Sequence, residues 1–174
     1  MIEPVERPRP ESSADFDSPP SLYVYGDVLD EIRFNGRWQS DGLAGGLLIG
    51  RAYRDPDGGR YAIVEGFVGG AHSHDLTEFT RALRGNWKTA VAERSVHMPE
   101  AEIVGWYVAP ADPEAKPDRG ALLLHNTFFN HPWQVGLWVG PDARPFTIRP
   151  AGDSLEEGVV ALLDRLGARP APSR

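Results

Sequence analysis

Residues 101–110 read AEIVGWYVAP, Ala101 to Pro110. Ile103-Val104-Gly105-Trp106-Tyr107-Val108 is a near-continuous apolar run rich in β-branched and aromatic side chains, which reads as a buried strand. Downstream, Ala109–Gly120 carries Pro110, Pro113 and Pro117 among several charges, so it reads as a loop. Ala121–Phe129 follows as a short helix, broken by His131-Pro132. Trp133–Val139 alternates, with Trp133, Val135, Leu137 and Val139 on one face and Gln134, Gly136 and Trp138 on the other. Phe146–Ile148 is a last short strand. Leu155–Leu166 reads as an amphipathic helix, with Leu155, Val159, Leu162, Leu163 and Leu166 inward and Asp153 or Ser154 as its cap.

Upstream, Leu22–Tyr25 is a short strand, and Asp27 caps a helix that carries Val28, Leu29 and Ile32, with Phe34 near its end and Gly36 to stop it. Ala44–Tyr53 and Arg60–Val68 flank the turn Asp55-Pro56-Asp57-Gly58-Gly59, so they predict an antiparallel hairpin. Gly45, Gly46 and Gly50 within its first arm mark close backbone approach or a bulge. Gly69–Asp75 reads as a loop. A helix covers roughly Arg81–Arg94; it opens either on an Asp75/Glu78 capping box or, after a short strand Leu76–Phe79, on Thr80. The hairpin, the central strand, two further strands and three or four helices predict an α/β domain.

The 174 residues suffice for one domain with a real core. A hydrophobic fraction of 41% and a charged fraction of 25% are those of an ordinary globular domain. The formal net charge of −7 argues against nucleic acid and against an anionic membrane as partners. The chain has no cysteine, which excludes disulfides, thiolate zinc sites and a cysteine nucleophile and suits a cytoplasmic location. Residues 1–20, rich in Pro, Ser, Glu and Asp, are expected to form a tail, mobile or laid along the surface, and resemble neither a signal peptide nor an anchor. The expected domain spans 21–168, with 169–174 as a second tail. No apolar run is long enough for a membrane-spanning helix. Abundant Ala, Arg, Gly and Pro point to a GC-rich bacterial source.

Gly45-Gly46-Leu47-Leu48-Ile49-Gly50, then Glu102-Ile103-Val104-Gly105-Trp106-Tyr107, then Phe128-Phe129 and Trp133-Gln134-Val135, together resemble the JAMM/MPN metalloprotease family. The likeness covers roughly Leu22–Ile148. It implies a cytidine-deaminase-like MPN fold, a mixed β-sheet packed between helices. Active members use a Glu near the first glycine strand and a His-x-His, Ser, Asp series after Gly-Trp-Tyr to hold zinc and move a proton. Laid on this chain without gaps, the two histidines fall on Val108 and Pro110, the serine on Asp118 and the aspartate on Ala121. The glutamate falls on Leu43, with Asp41 close by. Val, Pro and Ala side chains offer no lone pairs to zinc, so no bound water is acidified there.

The resemblance therefore implies a catalytically degenerate member without a cofactor: a protein-binding scaffold or regulatory subunit that pairs, as a dimer, with another MPN-type subunit or with itself. The expected partner surface is the former cleft, marked by Trp106, Val108, Pro110 and Trp138. Trp138 reads equally as core and as a partner anchor. The alternative is a metal-dependent hydrolase or isopeptidase with a relocated site around His72 and His74, the one His-x-His of the chain; the plainer reading of that pair is an exposed loop beside a helix cap. Asp112, Glu114 and Asp118 form a weak candidate for a hard cation, and Ser73 beside the histidines shows no nucleophile signature.

Overall fold

Asp55 and Gly59 close the predicted turn, Asp55 N–H donating to the Gly59 carbonyl at 2.7 Å and Gly58 N–H to that of Asp55 at 2.8 Å. The hairpin that this turn joins is the backbone of the molecule. The structure, a computed structural model, describes residues 4–11, 19–37 and 41–165. The elements are β1 (Val5–Glu6), β2 (Leu22–Tyr25), α1 (Gly26–Arg37), β3 (Leu43–Arg54), β4 (Arg60–Ser73), α2 (Leu76–His97), β5 (Glu102–Pro110), α3 (Arg119–Phe128), β6 (Val135–Trp138), β7 (Phe146–Ala151) and β8 (Ser154–Leu163).

The expected helix-sandwiched mixed sheet of the MPN type is not what forms. The strand order is β3-β4-β2-β8-β7-β6-β5, and β5 pairs back onto β3, from Leu43↔Pro110 to Gly50↔Glu102. Seven strands thus close a barrel, and β1 adds to β3 beyond the end of β5, at Tyr53 and Arg54. Closure leaves no end strand and replaces two open faces by an inside and an outside; only part of β4 lacks a strand on one side. Bulges in β3 and its partners let the strands bend; the β3–β4 register shifts between Gly45 and Leu47 and again between Ile49 and Gly50.

The inside is lined by Leu22, Val24, Leu48, Val64, Val104 and Leu137, and Val28, Leu29 and Ile32 of α1 join the same cluster. The helix therefore plugs one mouth of the barrel. Outside, α2 and α3 cover Leu47, Ile49, Trp106, Val108 and Ile148. A second outer cluster, Tyr23, Tyr53 and Tyr61, lies under the N-terminal segment. Arg7 and Arg9 place their guanidinium groups 5.0 Å from the Tyr53 and Tyr61 ring centres. Of the two readings of the N-terminal tail, residues 4–11 are laid along the surface. The remainder of both expected tails, 1–3, 12–18 and 169–174, lies outside the described residues.

The other large departure is Leu155–Leu166. Residues 154–163 are a strand, antiparallel to β7 and parallel to β2, through Ala151↔Ser154 and Leu22↔Val160. Gly152, at φ 64°, and Asp153 make the two-residue turn between β7 and β8, a Gly-Asp hairpin signal that outranks helical spacing. Val159 and Leu162, placed inward on the helix reading, are 40% and 53% exposed. Smaller shifts occur elsewhere. The expected loop at Gly69–Asp75 is mostly strand, since β4 runs to Ser73. Helix α1 begins at Gly26, with Asp27 already in its first turn. Helix α3 begins two residues before Ala121, with Asp118 as N-cap.

Candidate functional site

Residues Leu43, Val108 and Pro110 share the outer face of the β3–β5 pair, because partners in an antiparallel register project to the same side and Leu43 opposes Pro110. Ala121, in the first turn of α3, packs onto that face; it and Val108 are both 0% exposed. Asp118 stands at the rim as the α3 N-cap, its Oδ1 accepting the Gly120 N–H at 2.8 Å. The five positions that the metalloprotease resemblance singles out are thus brought together, as an apolar layer between barrel and helices.

Among the described residues, no open cleft reaches Leu43, Val108, Pro110 or Ala121; the cavity beside Asp118 is lined instead by Pro117, Arg119, Leu122 and the β7–β8 turn. Trp106 is 0% and Trp138 3% exposed, and Val108 and Pro110 are buried with them. The expected partner surface is corrected accordingly: α2 and α3 already occupy it. The Trp106 indole N–H donates to His125 Nδ1 at 3.2 Å, which leaves the ring proton on Nε2. Burial, helped by the Arg149 charge, pushes the His125 pKa down to about 4. On the sequence, His125 stands with His97 and His131 as a possible third ligand to the His72/His74 pair; its bond to Trp106 carries no spacing signal.

The inner face of the same strands holds the other group. A cavity of about 420 Å³ opens at the barrel mouth, between the last turn of α1 and the ends of β3, β4 and β5. Gly36, Gly45, Gly69 and Gly70 form much of its wall, and Asn35, His72 and Tyr107 supply polar groups. Gly36 is required for the close approach of α1: a Cβ there would lie 3.1 Å from that of Ala109. Gly70 sits at φ 105°, which lets β4 bulge without strain. Tyr107 is 3% exposed, and burial holds its phenol well above the ordinary value of 10.0, so it is a hydrogen-bond donor at any physiological pH.

His72 stands on the rim of this cavity, its Nε2–H donating to the Asp41 carbonyl at 2.9 Å. The His74 Nδ1 lies 3.9 Å from the Asp41 carboxylate in an exposed pair. The two rings are 5.8 Å apart. Among the described residues, no group of three or more His, Cys, Asp or Glu side chains is arranged to hold a metal ion. Asp112 uses its carboxylate to accept the Glu114 N–H at 2.9 Å. The Ser73 hydroxyl donates to Glu78 at 3.0 Å, and Asp75 accepts the Glu78 N–H at 2.8 Å. Of the two openings considered for α2, the Asp75 cap is the one formed.

No family model matches the chain, and no curated protein matches it. Among solved structures, the solution structure of protein DSY2949 from Desulfitobacterium hafniense is similar, with a TM-score of 0.56 and 18% identity over 82% of this chain and 93% of that one. At that identity the likeness speaks to the fold alone. No helix among the described residues is long and apolar enough to cross a membrane.

Proposed function

We propose that this chain is a non-catalytic domain that binds protein. The observation that carries the reading is the length of β4 with no strand on its second side; the apolar layer at Leu43, Val108, Pro110 and Ala121 supports it only by offering a metal no ligands on that face. Where the JAMM/MPN-like motif would need zinc ligands and a base, the side chains are aliphatic and packed, with Val108 and Ala121 at 0% exposure. A metal there would need nitrogen or oxygen donors and an open coordination position.

The binding surface is placed on β4 rather than on the filled outer face. Strand β4 pairs with β3 from Arg60 to Ser73, but with β2 only from Ala62 to Val64. Beyond Glu65, whose carbonyl accepts from the Arg165 guanidinium at 3.0 Å, the described residues place no strand beside it, and the Asn86 amide of α2 donates to the Gly69 carbonyl at 3.0 Å. An unpaired strand edge is a template for an extended segment of another chain, which gains affinity from main-chain hydrogen bonds.

Reconstitution of the protein with its native partner, followed by hydrogen exchange, tests this. Amides in Gly66–Ser73 are expected to gain protection on binding. Protection confined to other elements would move the surface elsewhere. Stoichiometric zinc in the purified protein, together with hydrolysis abolished by a chelator, would overturn the non-catalytic reading itself.

A further inference from the structure

We infer that the cavity at the barrel mouth binds a small planar molecule bearing a carbonyl-type acceptor, received by the Tyr107 hydroxyl. The proposal does not need the protein-binding reading, although the two share a segment of β4: Gly69, Gly70, Ala71 and His72 line the cavity.

Three observations converge. First, the volume of about 420 Å³ is that of a small-ligand site. Second, Tyr107 is 97% buried by its 3% exposure, and among the described residues its hydroxyl has no hydrogen-bond partner. That hydroxyl ends against Gly69: a Cβ built there would sit 2.9 Å from it. Gly69 is itself a wall residue. The hydroxyl is not among the fully buried polar atoms that lack a partner, so it opens on the cavity, where a ligand acceptor can meet it. Third, the glycine walls offer backbone rather than side chains, so a flat ring can approach closely. The Phe67 ring, edge-on to Tyr107 at 5.6 Å, holds the phenol in place.

The chemistry of the lining sets the ligand class. No Asp or Glu side chain is among the described residues that line the cavity, while Tyr107 and the Asn35 amide offer donors. The group that the Tyr107 hydroxyl would receive as a donor is an acceptor, either a neutral carbonyl or a carboxylate. Benzamide and benzoate separate those two sources.

Purified protein is titrated with each, followed by thermal shift and by amide chemical shifts of Gly69 and Gly70. At least one probe is expected to bind, with a dissociation constant on the order of millimolar, as for a fragment. Toluene, which lacks the acceptor, is expected to bind more weakly. Tyr107→Phe is expected to weaken binding about three- to tenfold, the worth of one hydrogen bond. Ala44→Leu, which fills the cavity from its β3 wall, is expected to abolish binding. Neither probe binding at ~10 mM, toluene binding as well as both, or unchanged affinity in Tyr107→Phe would each overturn the proposal. If Tyr107→Phe does not fold, binding retained in Ala44→Leu overturns it. None of these failures bears on the β4 edge.

Discussion

His125 and Val108 show how single side chains are governed by what covers them. The His125 pKa is about 4 in the folded protein against an ordinary 6.5, so between those values the unfolded chain binds more protons. Stability is therefore full above pH 6.5 and falls as pH drops toward 4. The loss is about 3 kcal/mol at most, at about 1.4 kcal/mol per unit. Urea midpoints measured across that range are expected to show the slope, and His125→Phe is expected to flatten it. Val108 makes the complementary case. Val108→Asp would place a carboxylate where exposure is 0%, with no partner charge in the apolar layer. That is expected to cost several kcal/mol and leave little folded protein by near-UV circular dichroism.

Among the elements, the hairpin β3–β4 carries the tightest constraints. A Cβ at Gly46 would meet the Val68 carbonyl, and one at Gly50 that of Ile63, both on the neighbouring strand. Backbone cannot swing aside as a side chain does, so Gly46→Ala or Gly50→Ala is expected to destabilise by about 1–3 kcal/mol. Gly85, on the exposed side of α2 with nothing near its Cβ position, is the control: Gly85→Ala is expected to stabilise by about 1 kcal/mol. Chemical denaturation of the three variants checks both signs. Gly46, Gly50 and the Asp55–Gly59 turn were legible in the sequence because each acts within a few residues of itself, and the Asp75 cap was one of two openings that it left for α2. Strand β8 was not legible. Leucine and valine at 155, 159, 162 and 163 fit a helical stripe; Gly152-Asp153 is a local sign of the β7 pairing, but nothing local records that β2 needs a partner on its other side.

For the whole molecule, the decisive feature is closure through β3–β5, with the N-terminal segment clamping the outer tyrosines. Arg9 bridges Asp55 at 2.6 Å, and the Tyr61 hydroxyl lies 2.9 Å from the Pro8 carbonyl. Removing residues 1–11 is expected to lower stability by about 2–4 kcal/mol, the sum of two cation–π contacts, an ion pair and a hydrogen bond. It should also bring Tyr61, now 0% exposed, into reach of tyrosine-modifying reagents. A truncated protein with unchanged melting and unreactive Tyr61 would show that the segment only rests on the barrel.

By itself, the sequence determined the local devices: the hairpin, the buried strand Ile103–Val108, the alternation through Trp138, and the aliphatic character of positions 43, 108 and 121; it narrowed the opening of α2 to Asp75 or Thr80. Only the tertiary structure decided that the strands close into a barrel, that Trp106 and Trp138 are covered rather than offered, and that Tyr107 and His72 meet at a cavity. The division follows from range. Turn, cap and alternation energies act between neighbours in the chain, whereas the pairings of β3 with β5 and of β2 with β8 join residues far apart in sequence. An apolar side chain reads the same whether a helix or solvent will lie above it.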